Sequence, residues 1–237
     1  MEIVHGYFSP NGETKKIAQL FYNELGGKFI DLTLPQSRVD YRKLKADLYI
    51  LSLPVYLQNI PKPMKSFLIH VKAPQVFINL TYGGFSYGNV LRKIKKQLLV
   101  SQIVGYTITP VKHSFIDQQI DIQYTLYDSV IKKLKTQKYH EIKIPYRFHN
   151  VLFSMFEKSL MKSNFKLIVD KNLCDHCNLC IKECPSGSIT QSIKILDSCI
   201  SCNHCVQVCP RHAITSKKSK FLTSYLKRKQ KTSVVVR

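Results

Sequence analysis

The run Cys174-Asp175-His176-Cys177-Asn178-Leu179-Cys180-Ile181-Lys182-Glu183-Cys184-Pro185 returns as Cys199-Ile200-Ser201-Cys202-Asn203-His204-Cys205-Val206-Gln207-Val208-Cys209-Pro210. All 8 cysteines of the chain lie in these two copies of one pattern, C-x2-C-x2-C-x3-C-P. A shift of 25 positions carries each cysteine and proline of the first copy onto the second, and Ile189-Thr190 onto Ile214-Thr215. Each copy is too small to bury a core alone, so the two are expected to pack together. A cubane cluster needs four thiolates converging on the corners of a compact object. Three cysteines at two-residue gaps wrap one such cluster. The fourth, before proline, points away and serves the cluster of the opposite half. The spacing therefore assigns Cys174, Cys177, Cys180 and Cys209 to one [4Fe–4S] cluster, and Cys199, Cys202, Cys205 and Cys184 to the other.

Competing readings explain less. Zinc sites pair C-x-x-C motifs but call for neither a third cysteine at the same gap nor the trailing Cys-Pro. A disulfide framework belongs to small secreted chains. Isolated redox C-x-x-C pairs leave the duplication unexplained. His176 and His204 adjoin ligands, but the full thiolate count leaves them facing solvent or hydrogen-bonding a cluster sulfur. Residues 166–216 resemble the bacterial two-cluster ferredoxin module.

The remainder is long enough for one medium domain beside this small one. The N-terminus, Met1 to Tyr7, has no signal-peptide pattern, and no apolar run reaches transmembrane length. Cluster thiolates need a reducing compartment, so a cytoplasmic location is expected. The 36 Lys+Arg against 15 Asp+Glu give a net charge of +21, a field that favours acidic partners, nucleic acid or anionic membranes. The cysteine module adds little to it, with five basic and four acidic residues between Lys166 and Thr215.

Residues 1–145 alternate strand and helix signals. Strands are expected at 3–8, 28–32 (an edge), 47–53, 75–80 and 103–109, the last of the domain. Helices are expected from Thr14 to the stop at Gly26-Gly27, near 65–68, over 89–99 and over 124–138. Strands separated by helices of this length imply a doubly wound parallel sheet, covered on both faces. Ligands of such sheets sit beyond the carboxyl ends of the strands. Three loops leave those ends. The first, Ser9-Pro10-Asn11-Gly12-Glu13-Thr14, opens a helix and forms an anion cradle. The second begins Pro54-Val55-Tyr56. The third is Thr81-Tyr82-Gly83-Gly84-Phe85-Ser86-Tyr87-Gly88, whose glycines let backbone approach a flat ring. The G-x-G-x-x-G dinucleotide pattern is absent.

The first loop resembles the flavodoxin phosphate loop, with Asn11 in place of its middle threonine. The second resembles the P-V-Y…P…K-x-F-L stretch of flavodoxin-like FMN proteins, and the third their ring-holding glycine loop. That resemblance implies phosphate binding by Ser9, Asn11, Gly12, Glu13 and Thr14. It implies ring binding by Pro54, Val55, Tyr56, Tyr82, Gly83, Gly84, Phe85, Tyr87 and Gly88. The alternative is the same fold with its flavin site lost. Residues 1–216 together resemble the EFR1-type flavodoxin–ferredoxin fusion. The implied function is electron transfer between two [4Fe–4S] clusters and FMN or an external redox protein. An FMN-dependent reductase is the enzymatic alternative. A nucleic-acid-binding iron–sulfur protein is motivated by charge alone, and no specific nucleic-acid motif supports it.

Between the domains, 149–165 reads as a docked helix with Leu152, Phe153, Phe156 and Leu160 in one stripe and Met155 alongside. The tail, 217–237, carries eight basic residues and no acid, with Phe221, Leu222, Tyr225 and Leu226 at helical spacing. Two readings stand: a basic amphipathic helix on anionic lipid or an acidic protein, or a helix packed on the core followed by a frayed end.

Overall fold

The computed structural model describes residues 1–116, 120–146 and 163–237. Five parallel strands form the main sheet: β1 (Ile3–Tyr7), β2 (Lys28–Asp31), β3 (Leu48–Pro54), β4 (Gln75–Tyr82) and β5 (Gln102–Pro110). Their order is β2-β1-β3-β4-β5, the doubly wound order of the flavodoxin-like fold, with its switch point between β1 and β3. Side chains alternate across β3, so each face takes half of a continuous apolar run. Leu48 and Ile50 pack with Ile17 and Phe21 of α1 (Glu13–Leu25) and with Val130 and Leu134 of α5 (Asp128–Lys135). Tyr49, Leu51 and Leu53 face the other way, with Met64 and Phe67 of α3 (Lys62–Leu68) and Leu91 and Ile94 of α4 (Val90–Lys95). One buried row is polar. Ser52, Asn79 and Thr107 are neighbours in register, and Thr107 Oγ1 donates to Asn79 Oδ1 (2.7 Å) while Asn79 Nδ2 donates to Ser52 Oγ (3.2 Å). Each buried polar group is thus partnered within the row.

The sequence missed α2 (Pro35–Asp40), a short helix with proline in its first turn and none of its residues buried, so no apolar period marks it. It also made α4 too long, because Leu98 is buried although the regular helix ends at Lys95. The expected helix over 149–165 falls outside the described residues as far as 162, and Phe165 opens a strand instead.

The tail folds back onto the sheet. Ser219 caps α8 (Lys220–Leu226) by accepting from the Leu222 N–H, and Leu222 is buried. The chain then ends in β8 (Val235–Val236), antiparallel to β5. Tyr106 and Arg237 exchange backbone hydrogen bonds of 2.8 and 2.9 Å. The strand expected to be the last of the sheet, Ile103–Thr109, is therefore followed at its open edge by another, and the chain end is not frayed. Three successive valines have the β-branched shape that a pleated edge accepts, and β8 covers unpaired groups of β5. Ending the chain at Ser233 is expected to lower unfolding stability by about 2–4 kcal/mol, from lost ladder bonds and valine burial. Denaturant titration of the truncated protein measures it, and an unchanged midpoint would deny the strand any weight.

The second domain is built on the antiparallel pair β6 (Phe165–Val169) and β7 (Ile214–Lys218). Between them lie α6 (Leu179–Lys182) and α7 (His204–Val208), and Ile189, Ile193 and Ile214 form the core with Cys180, Cys184 and Cys205. No helix among the described residues is long and apolar enough to cross a membrane.

Candidate functional site

The internal repeat persists in the backbone. Positive φ angles occur at His176 (58°) and Ser201 (54°), at Asn178 (60°) and Asn203 (65°), and at Gly187 (59°) and His212 (51°). Each pair is separated by the 25 positions of the sequence repeat. Left-handed residues curl each run around an enclosed volume, and asparagine tolerates that conformation better than most side chains. Two N–H···S bonds follow the same shift: Ser188 N donates to Cys184 Sγ (3.2 Å) and Ala213 N to Cys209 Sγ (3.3 Å).

The crossing expected from the sequence is what the geometry brings together. Cys174, Cys177 and Cys180 line one small cavity with Cys209. Cys199, Cys202 and Cys205 line the other with Cys184. Among the described residues no three Cys, His, Asp or Glu converge tightly enough to hold a single ion. Four cysteines lining each cavity are the donor set that a cubane cluster asks for. Burial pushes the Cys202 and Cys205 thiols up to about 12, so iron loading would displace their protons. His204 is half-buried beside Glu183 (4.0 Å) and His176 is exposed; neither lines the two cavities.

The second site lies at the carboxyl ends of β1, β3, β4 and β5. A solvent-open cleft is lined there by Ser9, Asn11, Glu13 and Thr14, by Pro54, Val55 and Tyr56, and by Tyr82 and Gly83. Gly12 caps α1 at φ 84°, and a Cβ built there would meet no protein atom within 4 Å. The loop thus needs glycine for its conformation, while Gly12 itself faces open space and is not among the residues lining the cleft. Lys15 N donates to Ser9 Oγ (3.0 Å), and the Thr14 and Thr81 hydroxyls share a buried bond of 2.7 Å that ties the first loop to the third.

Not every expected residue faces this cleft. Phe85 lines an adjoining, largely apolar cleft together with Phe115, Phe221 and Tyr225. Gly84, at φ 76°, lies under the tail: a Cβ would come within 2.7 Å of Gln230 Cβ, and Lys231 N donates to its carbonyl. Tyr87 and Gly88 border a separate small cavity with Arg92 and Tyr106, and the Tyr87 ring meets Tyr82 edge-on at 5.3 Å.

The sequence reading missed two walls. One is the loop after β5, from Val111 to Phe115, which carries no glycine and so lacked the signal used for the other three. The rule that every strand end contributes to such a cleft would have found it. Burial, with the Lys218 ammonium nearby, pushes His113 in this loop down to about 4, so an uncharged imidazole lines the cleft at neutral pH. The other wall is Ile200 and Ser201, from between two cysteines of the second run. Asn11 joins the two domains there, its Nδ2 donating to Ser114 Oγ and to the Cys202 carbonyl, both at 2.9 Å. Asn203 Nδ2 donates to the Ser114 carbonyl (3.2 Å), Lys218 Nζ to that of Phe115 (2.9 Å), and an Arg38 guanidinium N–H to that of Pro185 (2.7 Å). The Phe115 and Phe165 rings stack at 4.4 Å across the same junction. Burial, reinforced by the nearby Cys202 sulfur, holds the Tyr56 hydroxyl well above its usual range.

Residues 166–210 match the family described as the 4Fe-4S dicluster domain. No curated protein matches the chain. Among solved structures, a Lactobacillus acidophilus flavoprotein in complex with FMN is 16% identical over 44% of this chain and 91% of its own, with a TM-score of 0.35. A flavoprotein from Bacteroides eggerthii is 16% identical over 55% of this chain and 98% of its own (TM-score 0.36). A flavodoxin, WrbA-like protein from Agrobacterium tumefaciens is 11% identical over 57% and 98% (TM-score 0.39). The strand order of the first domain and the match over 166–210 together give a doubly wound α/β domain of flavodoxin-like order followed by a 4Fe-4S dicluster domain.

Proposed function

We propose that the protein is an electron carrier that holds two [4Fe–4S] clusters and FMN and moves electrons between them or to an external redox protein. Bound clusters would supply one-electron steps, and bound FMN one- or two-electron steps. The chain's part is to bind, place and insulate. The crossed cysteine sets hold the clusters. Ser9, Asn11, Gly12, Glu13 and Thr14 receive the phosphate, Asn11 through its backbone because its side-chain amide is engaged by Ser114 and Cys202, and Pro54, Val55, Tyr56, Tyr82 and Gly83 receive the ring system. One observation carries the reading: Ile200 and Ser201 form a wall of the candidate flavin cleft, and Asn11 grips the carbonyl of Cys202. The cysteines of the second cavity are thereby set beside the cleft rather than apart from it. The cytoplasm suits such thiolates. The excess positive charge is read as a surface bias that draws nucleic acid without sequence preference, an attraction lost in moderate salt.

Anaerobic purification with iron, sulfide and flavin analysis tests the content. Stopped-flow reduction tests the coupling. Flavin in the loaded protein should bleach at a rate independent of protein concentration, and several-fold more slowly in Asn11→Ala, where the Cys202 carbonyl loses its donor. Bleaching in proportion to protein concentration would mean that electrons pass between molecules, against the proposal.

A second reading, an FMN-dependent reductase, is favoured by the apolar cleft that adjoins the first and shares Val55, Gly83 and His113 with it. Turnover of a quinone or other small acceptor with reduced ferredoxin would support it.

A further inference from the structure

Arg38 of α2 is a half-buried cation held by carbonyls alone. Its guanidinium donates to those of Leu32 (2.9 Å), Thr33 (2.6 Å) and Pro185 (2.7 Å), and it lies over the Phe8 ring at 5.7 Å. No carboxylate among the described residues pairs with it. Burial lowers its pKa to about 10, so it stays charged at neutral pH. A cation withdrawn from water normally has an anion as its partner. Pro185 points to where that anion belongs. It follows Cys184, the cysteine that crosses to the second run, and both line the second cavity. The guanidinium is thus one carbonyl away from the wall that four cysteines share. Pro35, which opens the same helix, would lie 3.9 Å from a Cβ on Gly187, so α2 is seated on the turn after the crossing cysteine.

The first half is surrounded differently. Pro210, the repeat equivalent of Pro185, is exposed. Arg211 lies near the exposed Asp175 and lowers the pKa of its carboxyl, and Asp175 itself lines the first cavity. The repeat is therefore symmetric in its cysteines and asymmetric in its charges.

We infer that Arg38 is the counter-charge of the second cluster and a positioning residue for the electron: it eases reduction of the cluster beside the flavin cleft, so that an electron entering the pair comes to rest there. A cluster held by four thiolates is anionic and gains one more negative charge on reduction. A fixed cation that is partly shielded from water favours the reduced form. The exchange between the clusters is a single electron: the first is oxidised by one and the second reduced by one, with no bond broken and no proton moved.

The inference rests on the proposed function only for the loaded clusters; iron content tests that reading, and reduction potentials test Arg38. The experiment is an anaerobic potentiometric titration of the loaded protein, followed by electron paramagnetic resonance of the reduced clusters. Arg38→Gln keeps an amide donor for the Pro185 carbonyl and removes the charge. It is expected to shift one of the two reduction equilibria towards the oxidised form by about tenfold or more, 59 mV for one electron, and to leave the other as in the parent. The signal that moves should be the one missing from Cys184→Ser. Arg38→Lys, which keeps the charge, should stay close to the parent. Arg42→Gln makes the same charge change on the exposed turn after α2, where solvent screens it, and should move neither signal. Should Arg38→Gln load only about four irons per chain, about eight in Arg38→Lys would uphold the need for the charge. Parental potentials in Arg38→Gln, an equal shift of both clusters, the same shift in Arg38→Lys or Arg42→Gln, or loss of iron from both Arg38 variants would overturn the inference.

Discussion

Cys184→Ser is expected to abolish or convert the cluster held by Cys199, Cys202 and Cys205, although Cys184 belongs to the other run. Iron should fall from about eight to about four per chain, the content of two and of one cubane. Cys209→Ser should do the reverse, removing the cluster of Cys174, Cys177 and Cys180. The expectation rests on the two cavities, each lined by three cysteines of one run and one of the other. The N–H groups of Ser188 and Ala213 are aimed at the crossing sulfurs, and a serine oxygen is both harder and shorter in reach. Electron paramagnetic resonance of the reduced variants distinguishes the surviving cluster. If each variant lost the cluster of its own run, the crossed assignment would fall. Stoichiometric zinc without acid-labile sulfide in the parent protein would end the iron–sulfur reading altogether.

The second large effect is expected at Gly12. Its φ of 84° is a conformation that a β-branched residue adopts only under strain, and it sits at the turn that aims backbone N–H groups out of α1. Gly12→Val should weaken FMN binding by roughly a hundredfold or more, about 2.7 kcal/mol. The penalty comes from the backbone and not from a clash, since a Cβ there meets no protein atom. Iron content should stay at the parental level, because the cysteines lie in the other domain. Riboflavin, which keeps the ring but lacks the phosphate, should bind the parent far more weakly than FMN. Equal binding of the two by the parent, or parental FMN affinity in the valine variant, would contradict a phosphate site at this loop.

Both effects were legible before the fold was known, because both depend on local spacing. The cysteine run encodes its geometry in a dozen residues, and the repeat supplies the second half. The strand sequence was equally open to reading, since β3 and β4 are buried on both faces and so appear as largely apolar runs, interrupted by Ser52 in the one and by Asn79 and Thr81 in the other. Local pattern failed where the partner is distant in the chain. Gly84, Phe85 and Tyr87 read as one ring-holding loop, but the fold sends Gly84 against Gln230, Phe85 to the adjoining cleft and Tyr87 against Tyr82. Successive residues of a loop can face opposite sides, and composition does not say which. Asn11 looked like a variant phosphate ligand, and its amide instead spans 191 positions to the Cys202 carbonyl.

The sequence by itself determined the two cysteine sets, the parallel α/β character of the first domain and the glycine that its first loop requires. These follow from chemistry within a few residues: ligand spacing, side-chain period and backbone freedom. Only the tertiary structure decided that the second run closes the cleft, that the loop after β5 supplies another wall, and that the basic tail ends as a strand. Those are choices among surfaces that many sequences would permit. They are settled by which edge stays unpaired, which carbonyl lacks a donor and which apolar face still needs cover once the strands and helices have formed.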